Sequence, residues 1–178
     1  AWLWSPDALA LVPQRVWNNM TQYLLAAIPL FIFMASMLEK SGVIEEVFDV
    51  AYKWLGRIPG GLAVATVVAS TVLAAMVGVI GAAVVTMALV ALPSMLRRGY
   101  SPVLAVGTVM AGGTLGILIP PSVLAIVYGL VANQSVGELY LGSVFPGLVL
   151  SGLYILFSVG GALLNPKAAP RSRPEGAP

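Results

Sequence analysis

The residues of this sequence that could do chemistry are glycines, prolines and hydroxyl side chains rather than charged groups. They fall in two stretches, one around residues 78–81 and one over residues 112–122. Glycine lets a backbone leave the helix, and two successive prolines remove two amide donors, so each stretch predicts an interrupted helix. Unwound carbonyls can coordinate a cation such as sodium, and the free amides of a half-helix N-terminus can face an anion. The candidate substrate- or ion-binding residues are Gly78, Gly81, Thr114, Gly116, Pro120, Pro121 and Ser122.

The composition excludes most other chemistry. The 178 residues include no His and no Cys, which excludes a zinc or haem site built from these ligands, a catalytic His, a Cys nucleophile and a disulfide framework. Lys and Arg number 9 and Asp and Glu number 7, and the net charge of +2 is too small and too scattered for nucleic acid binding. We therefore expect neither an enzyme nor a cofactor, and no metal beyond sodium at the same backbone positions.

The positions of the charged residues predict a membrane protein. Uncharged stretches of 23, 39, 39 and 28 residues occupy positions 16–38, 58–96, 99–137 and 139–166. A bilayer core of ~30 Å requires about 20 apolar residues in a helix, so each stretch is long enough to enter the membrane. The predicted fold class is an all-α, multi-pass membrane protein.

The same stretches divide the chain into segments. Positive charges flank residues 58–96 at both ends, which favours a hairpin that enters and leaves on the cytoplasmic side, while two short full crossings would satisfy the same charges. Glu45, Asp49 and Lys53 share one helical face, which indicates a helix in the headgroup plane or between subunits, or an ordinary solvated connecting helix. The predicted segments are an interfacial N-terminal segment at 1–15, a transmembrane helix at 16–38, an amphipathic arm helix at 39–57, a re-entrant hairpin at 58–96, a discontinuous transmembrane helix at 99–137, a transmembrane helix at 139–164 and a Pro/Arg-rich cytoplasmic linker at 165–178.

Several of these residues also allow a purely structural interpretation. Gly78 and Gly81 could permit close helix packing, as could Gly112 and Gly113. Hydroxyl residues in membrane helices more often bond back to their own helix than bind a ligand, and Thr114 is singled out because we expect it to sit in the break. The chain begins without Met and shows no signal peptide, which leads us to expect a piece of a longer chain.

Four short motifs resemble those of one transporter family. They are IPGGLA at 58–63, PSMLRRGY at 93–100, GGTLGILIPPS at 112–122 and FPGL at 145–148, in this order. Together they resemble the large membrane subunit of tripartite ATP-independent periplasmic (TRAP) transporters over residues 27–164. Within that family the sequence is similar to the branch labelled mannitol or chloroaromatic compound transport.

The resemblance implies a sodium-driven importer of small carboxylates in the inner membrane of a bacterium or archaeon. It implies a periplasmic solute-binding protein that delivers the solute and a small membrane subunit that braces the large one, besides membrane lipid. It also implies an elevator-like mechanism, in which the hairpin and the discontinuous helix belong to one inverted repeat and move against the arm helices.

The sequence departs from the family pattern in two respects. Many members carry a hairpin tip of the type Ser-Gly-Ser-Ser, and the aligned residues here are Val77, Gly78, Val79 and Ile80, so hairpin ligands would have to be backbone atoms. The family's large subunit has two related halves, of which this sequence resembles the first, so we do not expect the segment alone to transport. The alternative functions are a structural membrane subunit, whose breaks serve packing only, and an ion pore, whose breaks form a selectivity filter.

Overall fold

The computed structural model describes residues 6–56, 58–165 and 169–170. These residues form α-helices and one 3₁₀ helix and contain no strand, which confirms the all-α prediction. Residues 1–5 of the predicted interfacial segment, Arg57 and most of the predicted linker at 165–178 lie outside the described residues. The helices are α1 Pro6–Met20, a 3₁₀ helix Tyr23–Ala26, α2 Ala27–Lys40, α3 Val43–Leu55, α4 Gly61–Val77, α5 Ile80–Arg97, α6 Pro102–Leu118, α7 Val123–Ala132 and α8 Val136–Leu164.

The lengths of the helices fit a membrane protein. Three segments of the described chain, Tyr23–Lys40, α5 and α8, are long and apolar enough to cross a membrane. The pair α6 and α7, bent by 41° at the break between them, would form a fourth. Helix α4 is an apolar helix of 17 residues, which amount to about 25 Å and fall short of a ~30 Å hydrocarbon core.

The first apolar segment begins later than the sequence predicted. Instead of one helix over 16–38, α1 ends at Met20 and the chain restarts through the 3₁₀ helix. The Thr21 hydroxyl bonds to the Trp17 carbonyl at 2.9 Å, and Gln22 is extended. Polar side chains that bond to their own backbone compete with helix continuation, so the break falls in this polar stretch.

The arm helix is shorter than predicted and packs through one face. Residues 39–40 belong to α2, because the Ser41 hydroxyl bonds to the Leu38 carbonyl at 2.7 Å and Gly42 turns the chain with φ +77°. Ile44 and Phe48 are buried on the inner face of α3, whereas the acidic residues are exposed. Trp54, near the end of α3, is 80% exposed.

The arms of the predicted hairpin, α4 and α5, fold back on each other. The Thr66 hydroxyl near the start of α4 lies 3.7 Å from the Met95 sulfur near the end of α5, and the Leu62 amide donates to the Tyr100 hydroxyl at 3.3 Å. Both ends of the 58–96 segment therefore lie at the same end of the helix bundle. A re-entrant hairpin and two full crossings would both place the two ends of this segment on one side of the membrane.

Helix α6 packs against both arms of the hairpin, and the base of the hairpin contacts α3. Helix α4 is buried along most of its length and packs against α3, α5, α6 and α8. The Arg98 guanidinium, just after α5, lies 4.5 Å from the centre of the Tyr52 ring and donates to the Tyr52 hydroxyl. These contacts fix the base of the hairpin, so that its tip is held against the end of α6.

Candidate functional site

The tip of the hairpin contacts the break in the discontinuous helix. The Val123 amide donates to the Gly78 carbonyl at 3.3 Å. A Cβ placed on Gly78 would lie 2.1 Å from the Pro121 carbonyl oxygen, so only glycine fits against this backbone. We call this contact between residues 78–80 and 119–123 the junction. It brings together the two interrupted segments that the sequence indicated separately.

Gly78 also meets a conformational requirement at the junction. Its backbone is left-handed, with φ +65° and ψ 7°, and its amide donates to the Ala74 carbonyl at 3.3 Å as α4 ends. Val79 is extended, with φ −130° and ψ 119°, and α5 begins at the next residue. Because glycine reaches positive φ without a steric cost, the chain can reverse here within two residues.

Four helix ends meet at the junction, the C-termini of α4 and α6 and the N-termini of α5 and α7. The last carbonyls and the first amides of a helix have no intrahelical partners. Pro120 and Pro121 carry no amide hydrogen, so the carbonyls of Gly116 and Ile117 lose the donors that a continuous helix would supply. The junction therefore concentrates uncharged backbone acceptors and donors, an arrangement that suits a cation at the carbonyl ends and an anion at the amide ends.

Ser122 adds a buried side-chain oxygen to the junction. The residue is 1% exposed, and its Oγ has no hydrogen-bond partner within the described ranges. Its carbonyl, by contrast, accepts from the Tyr140 hydroxyl at 3.2 Å and from the Ile126 amide at 3.3 Å. A buried hydroxyl without a partner is unfavourable, and a bound ion would supply one.

Five of the seven predicted site residues lie at or beside the junction. Gly78, Pro121 and Ser122 form the contact itself, and Pro120 lies half-buried in the break. A Cβ on Gly116 would lie 3.9 Å from the backbone at the start of α5, an ordinary contact distance. That these residues bind an ion or a substrate stays a prediction.

The other two predicted site residues lie apart from the contact. Thr114 is helical and exposed, four residues before the end of α6, so the expectation that it sits in the break is wrong. Its hydroxyl donates to the Ala111 carbonyl at 2.7 Å and lies 3.3 Å from the Tyr154 hydroxyl on α8. Gly81 lies in the first turn of α5 and is exposed, and a Cβ there would meet nothing within 4 Å.

Gly112 and Gly113 serve close packing, which is the alternative that the sequence left open for them. A Cβ on Gly112 would lie 2.4 Å from the Ser70 Oγ of α4, and one on Gly113 would lie 2.0 Å from Cγ2 of Val84 on α5. Neighbouring residues on α6 thus contact the two arms of the hairpin. Helix α6 continues through these glycines to Leu118, so they do not break it. Their role is to permit the close approach that small residues allow in membrane bundles.

Sequence reasoning did not identify Tyr140 or Val123 as contributors to the junction. Val123 contributes through its amide, which any residue except proline would supply, so its type carries no signal. Tyr140 lies in the second turn of α8, and its side chain reaches back to a carbonyl 18 positions earlier in the chain. A single tyrosine near the end of an apolar helix is read most simply as an interfacial anchor.

Charged groups contribute little to the described junction. The described residues include no cluster of three His, Cys, Asp or Glu side chains that could hold a metal ion. On the hairpin, the buried Thr86 hydroxyl, two turns into α5, donates to the Glu39 carboxylate at 3.3 Å. This pair connects α2 to α5 away from the tip, so the chemistry at the junction is that of backbone groups and one hydroxyl.

Comparison with known proteins assigns the family. Residues 2–173 match the family described as "Tripartite ATP-independent periplasmic transporter, DctM component". The chain belongs to this family. The resemblance to the large TRAP subunit is therefore confirmed, and the relatives of this family are named as permease proteins rather than as enzymes.

Curated relatives support the assignment. The chain is 41% identical over 159 residues to a C4-dicarboxylate TRAP transporter large permease protein of Vibrio cholerae, a match that covers 88% of this chain and 35% of the relative. It is 38% identical over 154 residues to the protein of that name in Pseudomonas aeruginosa, a match that covers 86% of this chain and 36% of the relative. An ectoine TRAP transporter large permease protein of Halomonas elongata is 31% identical over 135 residues, a match that covers 76% of this chain and 32% of the relative. The chain thus spans about a third of the length of these relatives.

Proposed function

We propose that this DctM chain forms part of the large membrane subunit of a sodium-coupled secondary transporter that imports carboxylate-type small solutes. The observation that carries the proposal is the junction, where a hairpin tip and a broken helix bring four helix ends and the buried Ser122 hydroxyl together. Secondary transporters bind substrate and coupling ions at discontinuous helices of this kind. The names of the Vibrio, Pseudomonas and Halomonas relatives support a carboxylate-bearing solute.

The residues at the junction fit a monovalent cation such as sodium better than a more highly charged cation. The oxygen donors present are neutral, namely the freed carbonyls of Gly116 and Ile117 and the Ser122 Oγ. A monovalent cation requires no carboxylate to balance its charge at such a site, whereas a divalent cation is usually bound by carboxylates. The amide ends of α5 and α7 would attract the carboxylate of the solute through their dipoles.

The mechanism that follows is alternating access of an elevator-like type. The hairpin, α6 and α7 would carry the junction between the two sides of the membrane. For them to move against the arm helix, the contacts that connect the hairpin base to α3, among them that of Arg98 with Tyr52, would have to rearrange. The short α4 supports a re-entrant hairpin whose tip ends within the bilayer. Because the relatives are about three times as long, the remainder of the transporter would complete the enclosure of the site.

The proposed setting is the inner membrane of a bacterium or archaeon. A periplasmic solute-binding protein would deliver the solute, and a small membrane subunit would brace the large one. Both partners are proposals for the whole transporter, and they follow from membership of the DctM component family.

The proposal is tested with the whole transporter reconstituted in vesicles together with its small membrane subunit and its binding protein. We expect uptake of a labelled C4-dicarboxylate to require both an inward sodium gradient and the binding protein. Gly116→Leu or Pro121→Leu should abolish this uptake and leave membrane insertion intact, because a leucine on Gly116 would push against the start of α5 and a leucine at 121 would restore an amide donor to the break. Uptake that needs neither the sodium gradient nor the binding protein would instead establish a pore.

A further inference from the structure

We propose that Tyr140 is a positioning residue for the junction, which holds the first turn of α7 so that the Ser122 hydroxyl is directed to the ion. The Tyr140 hydroxyl donates to the Ser122 carbonyl at 3.2 Å, from the second turn of α8. This inference rests on the proposed function, because it assigns Tyr140 a role toward the sodium site proposed there. Tyr140 itself does not contact the ion.

The hydrogen bonds at Ser122 separate the roles of its two oxygen atoms. The carbonyl oxygen has two lone pairs, and it accepts from both the Tyr140 hydroxyl and the Ile126 amide. It therefore has no capacity left for a cation. The Oγ, buried and unpartnered within the described residues, is the oxygen of Ser122 that remains to bind one.

The first turn of α7 has few other constraints. Ser122 is the N-cap of α7, yet its side chain makes no capping hydrogen bond, and the two preceding prolines have no amides to donate. Among the described residues, two hydrogen bonds anchor this turn to other elements: the Val123 amide bonds to the Gly78 carbonyl of the hairpin, and Tyr140 bonds from α8. Loss of the Tyr140 bond would leave the turn attached to the hairpin alone.

The test is Tyr140→Phe in the whole transporter, which keeps the ring and removes the hydroxyl. We measure the sodium concentration that gives half-maximal uptake, the KM for a labelled C4-dicarboxylate, and the increase in melting temperature that sodium chloride produces over potassium chloride. Loss of one neutral hydrogen bond that orients the site should raise the half-saturating sodium concentration roughly fivefold. The sodium-induced increase in melting temperature should shrink, and the KM measured at saturating sodium should stay within about twofold of the wild-type value.

Two matched variants separate positioning from general packing. Ser151→Ala removes another hydrogen bond of α8, the 2.6 Å contact with Thr71, away from the break. Tyr128→Phe removes the hydroxyl of an exposed tyrosine on α7 itself. Both should keep the wild-type sodium dependence.

Each outcome supports or overturns the inference. A rise in the half-saturating sodium concentration that occurs in Tyr140→Phe alone supports the inference. The melting temperature of each variant in sodium is compared with its own melting temperature in potassium, so a lower basal stability does not obscure the sodium effect. An unchanged sodium dependence in Tyr140→Phe, or an equal shift in Ser151→Ala, overturns it. Wild-type uptake that needs no sodium would refute the proposed function itself, which is a distinguishable result.

Discussion

Replacing Gly78 by alanine tests the junction directly, because the structure separates the two costs of the change. The residue has φ +65°, and a Cβ there would lie 2.1 Å from the Pro121 carbonyl oxygen and 3.1 Å from its carbon. Gly42, between α2 and α3, has φ +77° but nothing within 4 Å of a Cβ. Gly42→Ala therefore measures the backbone cost alone, and Gly78→Ala measures that cost together with the contact at the junction.

The expected magnitudes follow from the same geometry. A left-handed backbone costs a residue with a side chain about 1–2 kcal/mol, which is the whole expected effect of Gly42→Ala. To reach a tolerable 3.0 Å, the Gly78 Cβ and the Pro121 oxygen must separate by 0.9 Å. That displacement stretches the hydrogen bond from Val123 to the Gly78 carbonyl, now 3.3 Å, beyond its useful range. Overpacking and the lost hydrogen bond add about 2–3 kcal/mol, so Gly78→Ala should cost about 3–5 kcal/mol in total.

The assay compares thermal unfolding and sodium-driven uptake of the whole transporter. The melting temperature should fall in the order wild type, Gly42→Ala, Gly78→Ala. Uptake per correctly inserted molecule should stay near the wild-type level for Gly42→Ala and fall at least tenfold for Gly78→Ala. If the two variants prove indistinguishable in both measurements, the tip of the hairpin does not contact the break, and the site proposed here has no structural basis.

Two further predictions address the packing of the helix bundle. Gly113→Leu should prevent the close packing of α6 against α5, because even a Cβ there would lie 2.0 Å from a Val84 methyl carbon. The fraction of monodisperse protein in detergent should therefore fall sharply. The control is Gly107→Leu, at a position where a Cβ would have nothing within 4 Å, and it should not lower that fraction. The oxygens of Thr71 and Ser151 lie 2.6 Å apart. Because a C–S bond is longer than a C–O bond, two cysteine sulfurs at these positions would come within reach of an S–S bond of about 2.05 Å, so the double cysteine variant should form a disulfide under mild oxidation. After denaturation, which exposes these buried or half-buried positions, the double variant should have lost maleimide labelling and either single variant should label fully. Persistent labelling of the double variant would contradict the contact between α4 and α8.

The breaks in the helices could be predicted from the sequence because they depend on local backbone chemistry. A left-handed turn needs a glycine, and Gly78 is the glycine at which α4 ends. Successive prolines end a helix, and α6 ends at Leu118, just before them. The helix boundaries were predicted less well where polar side chains decide them, as at Thr21 and Ser41, whose hydroxyls bond to the preceding turn.

The composition of the candidate site depended on tertiary packing that a local pattern does not encode. The uncharged stretches predicted two interrupted segments but gave no sign that the Val123 amide would bond to the Gly78 carbonyl. Thr114 was assigned to the break because it lies among glycines, yet those glycines keep helical geometry in α6. Tyr140 was missed because its contribution is one hydroxyl on an otherwise apolar helix.

The packing of the α6 glycines and the position of the break are two parts of one arrangement. Residues 112 and 116 lie on the same face of α6, and residue 113 lies about 100° around the helix, which matches contacts with α4, the tip and α5 respectively. Close packing at Gly112 and Gly113 therefore fixes how deeply α6 is inserted between the arms of the hairpin. A shift of one residue along the α6 axis would move the break by about 1.5 Å relative to the tip, enough to lose the hydrogen bond between Val123 and Gly78. The packing of Gly112 and Gly113 thus determines where the glycine and the prolines of the junction meet.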